Sequence, residues 1–205
     1  KLKLLALLEA STGTFFSGAE IARTLQVSRA AVGKAVNARR EAGYTIDAAT
    51  NKGYRLSPDS DILSPQGIRR FLKPEYRDLD LTVLPTAPST NALVREKANQ
   101  GCPEGCIIIA CEQTDGRGRY GRQFFSPVDS GVYLSLLLRP TAYSPQQATC
   151  LTAAAAAAMC QAMEAVTGQQ PGIKWVNDIF LHGKKVCGIL TEAAVGLETG
   201  TLNYM

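Results

Sequence analysis

Histidine is almost missing from this chain: His182 is the only one in 205 residues. A zinc site wants paired, closely spaced Cys and His ligands. Of the six cysteines (Cys102, Cys106, Cys111, Cys150, Cys160 and Cys187), only Cys102 and Cys106 lie at such a spacing. No metal site is therefore expected, and the thiols read as reduced and mostly buried in a cytosolic protein. No run approaches the about 20 apolar residues that span a bilayer. The most apolar stretch, around Ala153–Met159, is alanine-rich and reads as a buried helix. No secretory signal is visible, so a cytoplasmic protein without a membrane partner is expected. A Walker A loop is absent as well, since no Gly-Lys-Ser/Thr follows any glycine-rich segment. The chain opens at Lys1 without a methionine and closes on the strand-like Thr201–Met205. A piece truncated at both ends is the expectation.

What is present is a globular composition, 45% hydrophobic with a net charge of +4. The charge is unevenly placed. Residues 1–57 carry nine Lys/Arg against four Asp/Glu, whereas residues 58–205 carry thirteen against fourteen. Such asymmetry points to a polyanion partner for the first part. There Leu2, Leu5 and Leu8 recur at helical spacing. Ser17 caps a second helix, with Glu20 placed for a capping box. Ser28 caps a third that runs to Gly43, with Val32 and Val36 as its inward stripe. Two short strand-like runs, Tyr44–Ala48 and Gly53–Leu56, follow. Three helices and a β-hairpin give the order of a winged helix-turn-helix. Its third helix would offer Ser28, Arg29 and Lys34 to DNA, and its wing would offer Lys52. Gly33 within that helix is a cost of up to about 1 kcal/mol relative to alanine.

Ser57–Asp61 is polar and contains proline, and sets the domain boundary: residues 1–57, a linker with a short helix over 58–77, and a second domain over 78–205. In the second domain, strands are expected at Leu81–Leu84, Ile107–Cys111, Val132–Leu138, Ile173–Trp175, Ile179–Leu181 and Val186–Glu192. Helices are expected at Thr90–Asn99 and Pro145–Thr167, and His182-Gly183 reads as a tight hairpin turn. The fold class is α+β with a mixed, largely antiparallel sheet. No internal repeat is visible.

The chemistry-bearing segments lie in this second part. Gly116, Gly118 and Gly121 spell G-x-G-x-x-G, yet Arg122–Pro127 is a poor helix start, which removes a Rossmann turn. Arg117, Arg119 and Arg122 interleave with those glycines. Glycine lets backbone wrap closely around a ligand, and arginine offers charge and forked donors to phosphate or carboxylate. Lys174-Trp175-Val176-Asn177-Asp178 places a lysine on a strand and two polar residues in its exit turn; on spacing alone Asn-Asp is simply a turn. In Lys184–Leu190, Lys185 enters a strand and Gly188 permits close approach of a ligand. Ser89-Thr90-Asn91 offers hydroxyls at a helix N-terminus, a receiver of a polar or anionic group and equally an ordinary N-cap.

Taken in order and spacing, Ser89-Thr90-Asn91, Gln113, Gly116–Arg122, Ser126-Pro127, Lys174–Asp178 and Lys185–Leu190 resemble the biotin protein ligase family. Ser28–Ala31 and Lys52-Gly53-Tyr54 look like the bifunctional members that also repress biotin operons. The resemblance implies a class II synthetase-like catalytic domain that joins biotin and Mg·ATP into biotinyl-5′-AMP. Biotin then passes to a lysine of the carboxyl-carrier domain of a carboxylase. It implies adenylate and biotin contacts from Ser89, Thr90, Asn91, Gln113, Gly116, Arg117, Gly118, Arg119, Lys185 and Gly188. Lys185 and Arg119 would meet developing charge, and Asp178 would orient the acceptor amine. Operator DNA and a homodimer formed with the adenylate are the further partners implied. Phe124 and Val176 stand where the family usually has tryptophan and proline. The chain also lacks the family's Gly-x-Gly-x-Asn segment and C-terminal β-barrel, so this piece alone is expected to be inactive. Two other readings stay open beside it: a biotin-sensing regulator without ligase activity, and a lipoate or octanoate transferase.

Overall fold

The computed structural model describes residues 2–128, 130–140, 147–195 and 202–204. Contacts divide the chain into two compact units, Lys1–Asp78 and Leu79–Met205. Residues 58–77 thus fall within the first unit.

The first unit contains α1 (Leu2–Ala10), α2 (Gly18–Leu25), α3 (Arg29–Glu41), the hairpin β1 (Ile46–Ala49) and β2 (Gly53–Leu56), and a short α4 (Pro65–Arg69). The caps follow from side-chain chemistry. Ser17 Oγ accepts from Glu20 N and Ser28 Oγ from Ala31 N, each at 3.1 Å, satisfying amides that the first turn leaves orphaned. Beyond α3, Gly43 takes the left-handed conformation that ends helices. Leu4, Leu8, Ile21, Ala22, Val32, Val36, Ile46 and Leu56 form the core, each larger aliphatic contributing about 1.5–3 kcal/mol by leaving water. Gly53 is required at the hairpin, with φ +97° and a Cβ position only 2.0 Å from Phe16 O. The linker segment is tied down by a buried pair, in which Ser64 Oγ donates to Glu9 Oε1. Glu9 Oε2, also buried, has no hydrogen-bond partner among the described residues. Burial raises the Glu9 carboxyl above its ordinary range, against the lowering influence of Ser64, Arg70 and Arg39.

The second unit contains β3 (Leu81–Leu84), α5 (Thr90–Asn99), β4 (Ile107–Ala110), β5 (Tyr133–Leu136), α6 (Ala148–Thr167), β6 (Gly172–Lys174), β7 (Asp178–Leu181), β8 (Lys184–Gly188), β9 (Ala194–Val195) and β10 (Leu202–Tyr204). One sheet runs β3-β4-β5 and another β6-β7-β8, and β9 pairs antiparallel with β10. The β3–β4 pair is parallel, because α5 carries the chain across between them, and every other pair is antiparallel. Val94, Ala98, Cys106, Ile108 and Leu137 form the core against this helix. His182 and Gly183, at φ 50° and 75°, make the tight turn between β7 and β8.

One expectation for α6 falls partly outside the described residues, and a second needs correction. Pro145 and Gln146, taken as its start, lie outside the described residues. The alanine-rich stretch is also largely exposed: Thr152 and Ala156 are its buried residues among those described. The packing partners, β6 and β7, touch one stripe of the helix, and small alanine side chains on the other faces do not need cover. By length and composition Cys150–Thr167 could cross a membrane, with mean hydropathy 1.3 and 11% of it buried. Its 18 residues include Glu164 and fall short of the about 20 apolar residues that span a bilayer, and core helices of soluble proteins meet the same criterion.

Candidate active site

The sequence motifs of the second unit meet around Gln113, which follows β4. Its backbone forms a bridge with Ser126, and its side chain is held at both ends. Gln113 Oε1 accepts from Thr90 N at 2.8 Å and from Thr90 Oγ1 at 3.1 Å, while Nε2 donates to Ser126 Oγ at 3.1 Å. Ser89 caps α5, its Oγ accepting from Ala92 N. On the same turn, Asn91 Oδ1 bonds Ser135 Oγ, and Asn91 Nδ2 donates to Leu190 O and Glu192 Oε2. Ser135 Oγ also lies 2.8 Å from Thr90 Oγ1. Ser89, Thr90, Ser126 and Ser135 are all buried. Buried hydroxyls and an amide that satisfy one another form a rigid polar wall.

From this wall the chain extends as an arm. Phe124 N donates to Gly116 O and Gly118 N to Arg122 O, at 2.8 and 2.7 Å, so Gly116–Phe124 folds back on itself. Tyr120 and Gly121 turn its tip at φ 59° and 71°, and Tyr120 is 87% exposed. At Gly116 a Cβ would stand 2.4 Å from Phe124 O, so the two sides pair this closely only with glycine there. Arg117 is paired with Asp115 at 2.8 Å. Arg119 Nη1 donates to Asn177 Oδ1 at 3.1 Å and its guanidinium lies over the Tyr120 ring.

Opposite stands the β7–β8 hairpin. Lys185 Nζ pairs with Asp178 Oδ1 at 2.7 Å, and Asn177 Nδ2 donates to the same oxygen at 3.0 Å. Lys185 lies over Gly188 and beside Phe124: a Cβ on Gly188 would be 3.0 Å from Lys185 Cε and 3.2 Å from Phe124 Cε2. Burial pushes the neighbouring Cys187 thiol up, despite Lys185. It is thus a neutral neighbour and not a nucleophile.

Contacts therefore run in a ring from Thr90 through Gln113, Ser126 and Phe124 to Lys185, and back from Leu190 to Asn91. All the residues expected here (Ser89, Thr90, Asn91, Gln113, Gly116, Arg117, Gly118, Arg119, Asp178, Lys185 and Gly188) lie on this ring or on the arm. Sequence reading missed Ser135, Glu192 and Asp115. For Ser135 the alternation misleads: a hydroxyl between apolar Leu134 and Leu136 reads as the solvent face, yet Ser135 is buried and both leucines are exposed. Glu192 carries no signal of its own.

In the first unit, Arg29, Lys34 and Lys52 are exposed. Ser28 is engaged as cap acceptor, and Arg29 and Lys34 occupy the first two turns of α3. Lys52 and Arg55 stack on the Phe15 ring. Arg40, exposed as well, is tied to the fold by bonding Ile46 O through Nε and Nη2.

Comparison with known proteins agrees with this division. Residues 83–201 match the model of the biotin/lipoate A/B protein ligase family, and residues 1–55 match that of an HTH domain. The bifunctional ligase/repressor BirA of Bacillus spizizenii is 42% identical over 92% of this chain and 58% of its own length. That of Escherichia coli is 33% identical over 93% and 57%. A biotin protein ligase from Aquifex aeolicus, solved with biotin and ATP, is 28% identical over 61% of this chain and 50% of that one, with a TM-score of 0.45. The chain thus spans somewhat more than half the length of the curated relatives it matches. With an HTH domain ahead of it, the chain belongs to the biotin/lipoate A/B protein ligase family.

Proposed function

We propose that the protein containing this chain is an ATP-dependent biotin protein ligase that also binds operator DNA. The observation that carries the reading is the ring itself. A hydroxyl-and-amide wall at the start of α5 suits a neutral polar ligand such as the biotin ring system, and it stands beside Lys185 and an arginine-bearing arm suited to phosphate. A carboxylate oxygen of biotin attacks the α-phosphorus of ATP, pyrophosphate leaves, and biotinyl-5′-AMP remains. The lysine amine of a carboxyl-carrier domain then attacks the acyl carbon, forming an amide and releasing AMP.

Negative charge concentrates when a carboxylate meets a triphosphate, and fixed cations in a water-poor site counter it. Lys185 is the residue for this role, exchanging its Asp178 partner for ligand oxygens. Asp178, relieved of the lysine, orients the incoming acceptor amine, which attacks in its neutral form. Arg117 and Arg119 exchange Asp115 and Asn177 for phosphate in the same way, and Ser89, Thr90, Asn91 and Gln113 define the biotin end. Gly116, Gly118 and Gly188 keep side chains out of the ligand's space and let the backbone approach it. Mg2+ enters with the phosphates of ATP, and no protein ligand is assigned to it. The exposed Arg29, Lys34 and Lys52, with Ser28, form the DNA-facing set, and repression is coupled to a dimer made with the adenylate. Cytoplasmic residence follows from DNA and carrier-protein partners.

The test is biotin-dependent exchange of pyrophosphate into ATP, followed by transfer of labelled biotin to a carrier domain. Lys185→Met is expected to slow exchange by about 100- to 1,000-fold, on the scale of losing one charge-stabilising donor. Intact biotin binding with neither exchange nor transfer in the unmutated protein would replace the ligase by a ligand-sensing regulator.

A further inference from the structure

Three polar side chains meet at the end of α5 remote from Thr90. Asp80 immediately precedes β3, Cys102 follows the C-terminus of α5, and Cys106 immediately precedes β4. One ligand atom from each lies within 4.8 Å of the others, and Cys102 Sγ is 3.9 Å from Asp80 Oδ2. We propose that Asp80, Cys102 and Cys106 form a binding site for a thiophilic divalent cation of the Zn2+ type.

Donor chemistry favours this class. Two sulfurs and one carboxylate oxygen suit zinc, with water as fourth ligand, and disfavour Mg2+ or Ca2+, which take oxygen. Tetrahedral zinc with Zn–S bonds of about 2.3 Å holds its donors roughly 3.5–3.8 Å apart, so these must close by at most about 1.3 Å. Cys102, the less buried of the two thiols, makes that adjustment by turning its side chain.

The backbone behind the donors is already fixed. Ile107 N donates to Asp80 O at 2.7 Å, which joins the residue after Cys106 to Asp80. Leu137 N donates to Cys106 O at 2.9 Å. Arg139 donates from Nε and Nη2 to Cys102 O at 3.0 and 2.8 Å. Cys106 is 1% exposed and Cys102 only partly so, which shields the sulfur side from water. Charge also balances. Two thiolates, a carboxylate and a dication leave one negative charge, and Lys97 Nζ sits 2.9 Å from Asp80 Oδ2. Sixteen residues intervene between Asp80 and Lys97, and α5 brings the lysine back.

The test uses the reduced, metal-stripped 205-residue chain with Co2+ as probe. About one equivalent is expected to produce sulfur-to-cobalt charge-transfer absorption and the intense visible bands of tetrahedral geometry, both bleached by Zn2+. Cys102→Ser should at least halve the charge-transfer absorption, since one of the two sulfurs is lost, Asp80→Asn should weaken cobalt binding, and Lys97→Met should weaken it about tenfold, as for a group that orients a ligand. Cys111→Ser should change nothing. Cys106 is buried, so Cys106→Ser is read only if melting shows it folded, and Cys102→Ser remains decisive. Absence of the charge-transfer band overturns the proposal. So does a band that keeps its full intensity in Cys102→Ser, or one that follows Cys160 and Cys187 instead.

Discussion

Lys185 and Gly188 show how much a single missing carbon can decide. Alanine at 188 needs no unusual φ, but its Cβ meets the end of the lysine at 3.0–3.1 Å and the Phe124 ring at 3.2 Å. The flexible ammonium is the part that yields, so Gly188→Ala should leave the fold intact and draw Lys185 away from Asp178. Displacing a charge by about 1 Å costs on the order of 100-fold in rate, and pyrophosphate exchange at unchanged melting temperature is the measurement. Unaltered exchange would show that the position of the ammonium is not critical. Gly116→Ala is a different experiment, because its Cβ meets backbone at 2.4 Å and the arm itself must open. Glu9 supplies the pH case. Its folded carboxyl is raised above the ordinary 4.5 by burial, so the unfolded chain gives up the proton first as pH rises. The contribution of Glu9 to stability is present below the unfolded value and lost as pH passes through the folded one. The stability of Glu9→Gln relative to the unmutated chain should therefore improve between about pH 4 and pH 8, on the same linkage argument. Melts at the two pH values decide it, and an equal difference at both would contradict the assignment.

At the scale of elements, what is local was legible and what is long-range was not. Ser17, Ser28 and Ser89 announce helix starts because a cap reaches only three residues along the chain. The His182-Gly183 turn is readable for the same reason. The parallel β3–β4 pairing, the exposure of α6 and the bond from Ser64 to Glu9 depend on partners that periodicity cannot name. α3 carries a prediction that separates fold from binding. Ser28→Ala removes the cap bond and should cost about 1 kcal/mol of stability. Arg29→Ala touches no core residue, so it should melt normally while lowering operator affinity and reducing the salt slope by about one unit. Gel shifts across a salt series distinguish the two. A normal slope with Arg29→Ala would remove that residue from the interface.

Across the whole molecule, the first unit holds the excess of positive charge and the second the ring of polar contacts, so the two activities proposed have separate material bases. The Gly116–Arg122 arm and Lys185 stand out in the sequence because glycine, arginine and lysine at those spacings are unusual, whereas Gln113 and Ser126 are singled out only by the family resemblance. Their connections are not legible there: the order Gln113, Ser126, Phe124, Lys185 is a product of sheet and hairpin packing, and Ser135 and Glu192 enter only through it. Asp80 likewise joins two cysteines from twenty-two residues before Cys102 because β3 and β4 start side by side. The lone tryptophan, Trp175, has its own consequence. It is 77% exposed and lies two residues before Asn177, which holds Arg119. All indole emission of this chain therefore originates beside the arm and the Lys185–Asp178 pair. Ligand binding there should be visible as a blue shift and a loss of iodide quenching, without any label. Since the first unit has no tryptophan, DNA binding alone would leave that optical signal silent unless the two functions communicate.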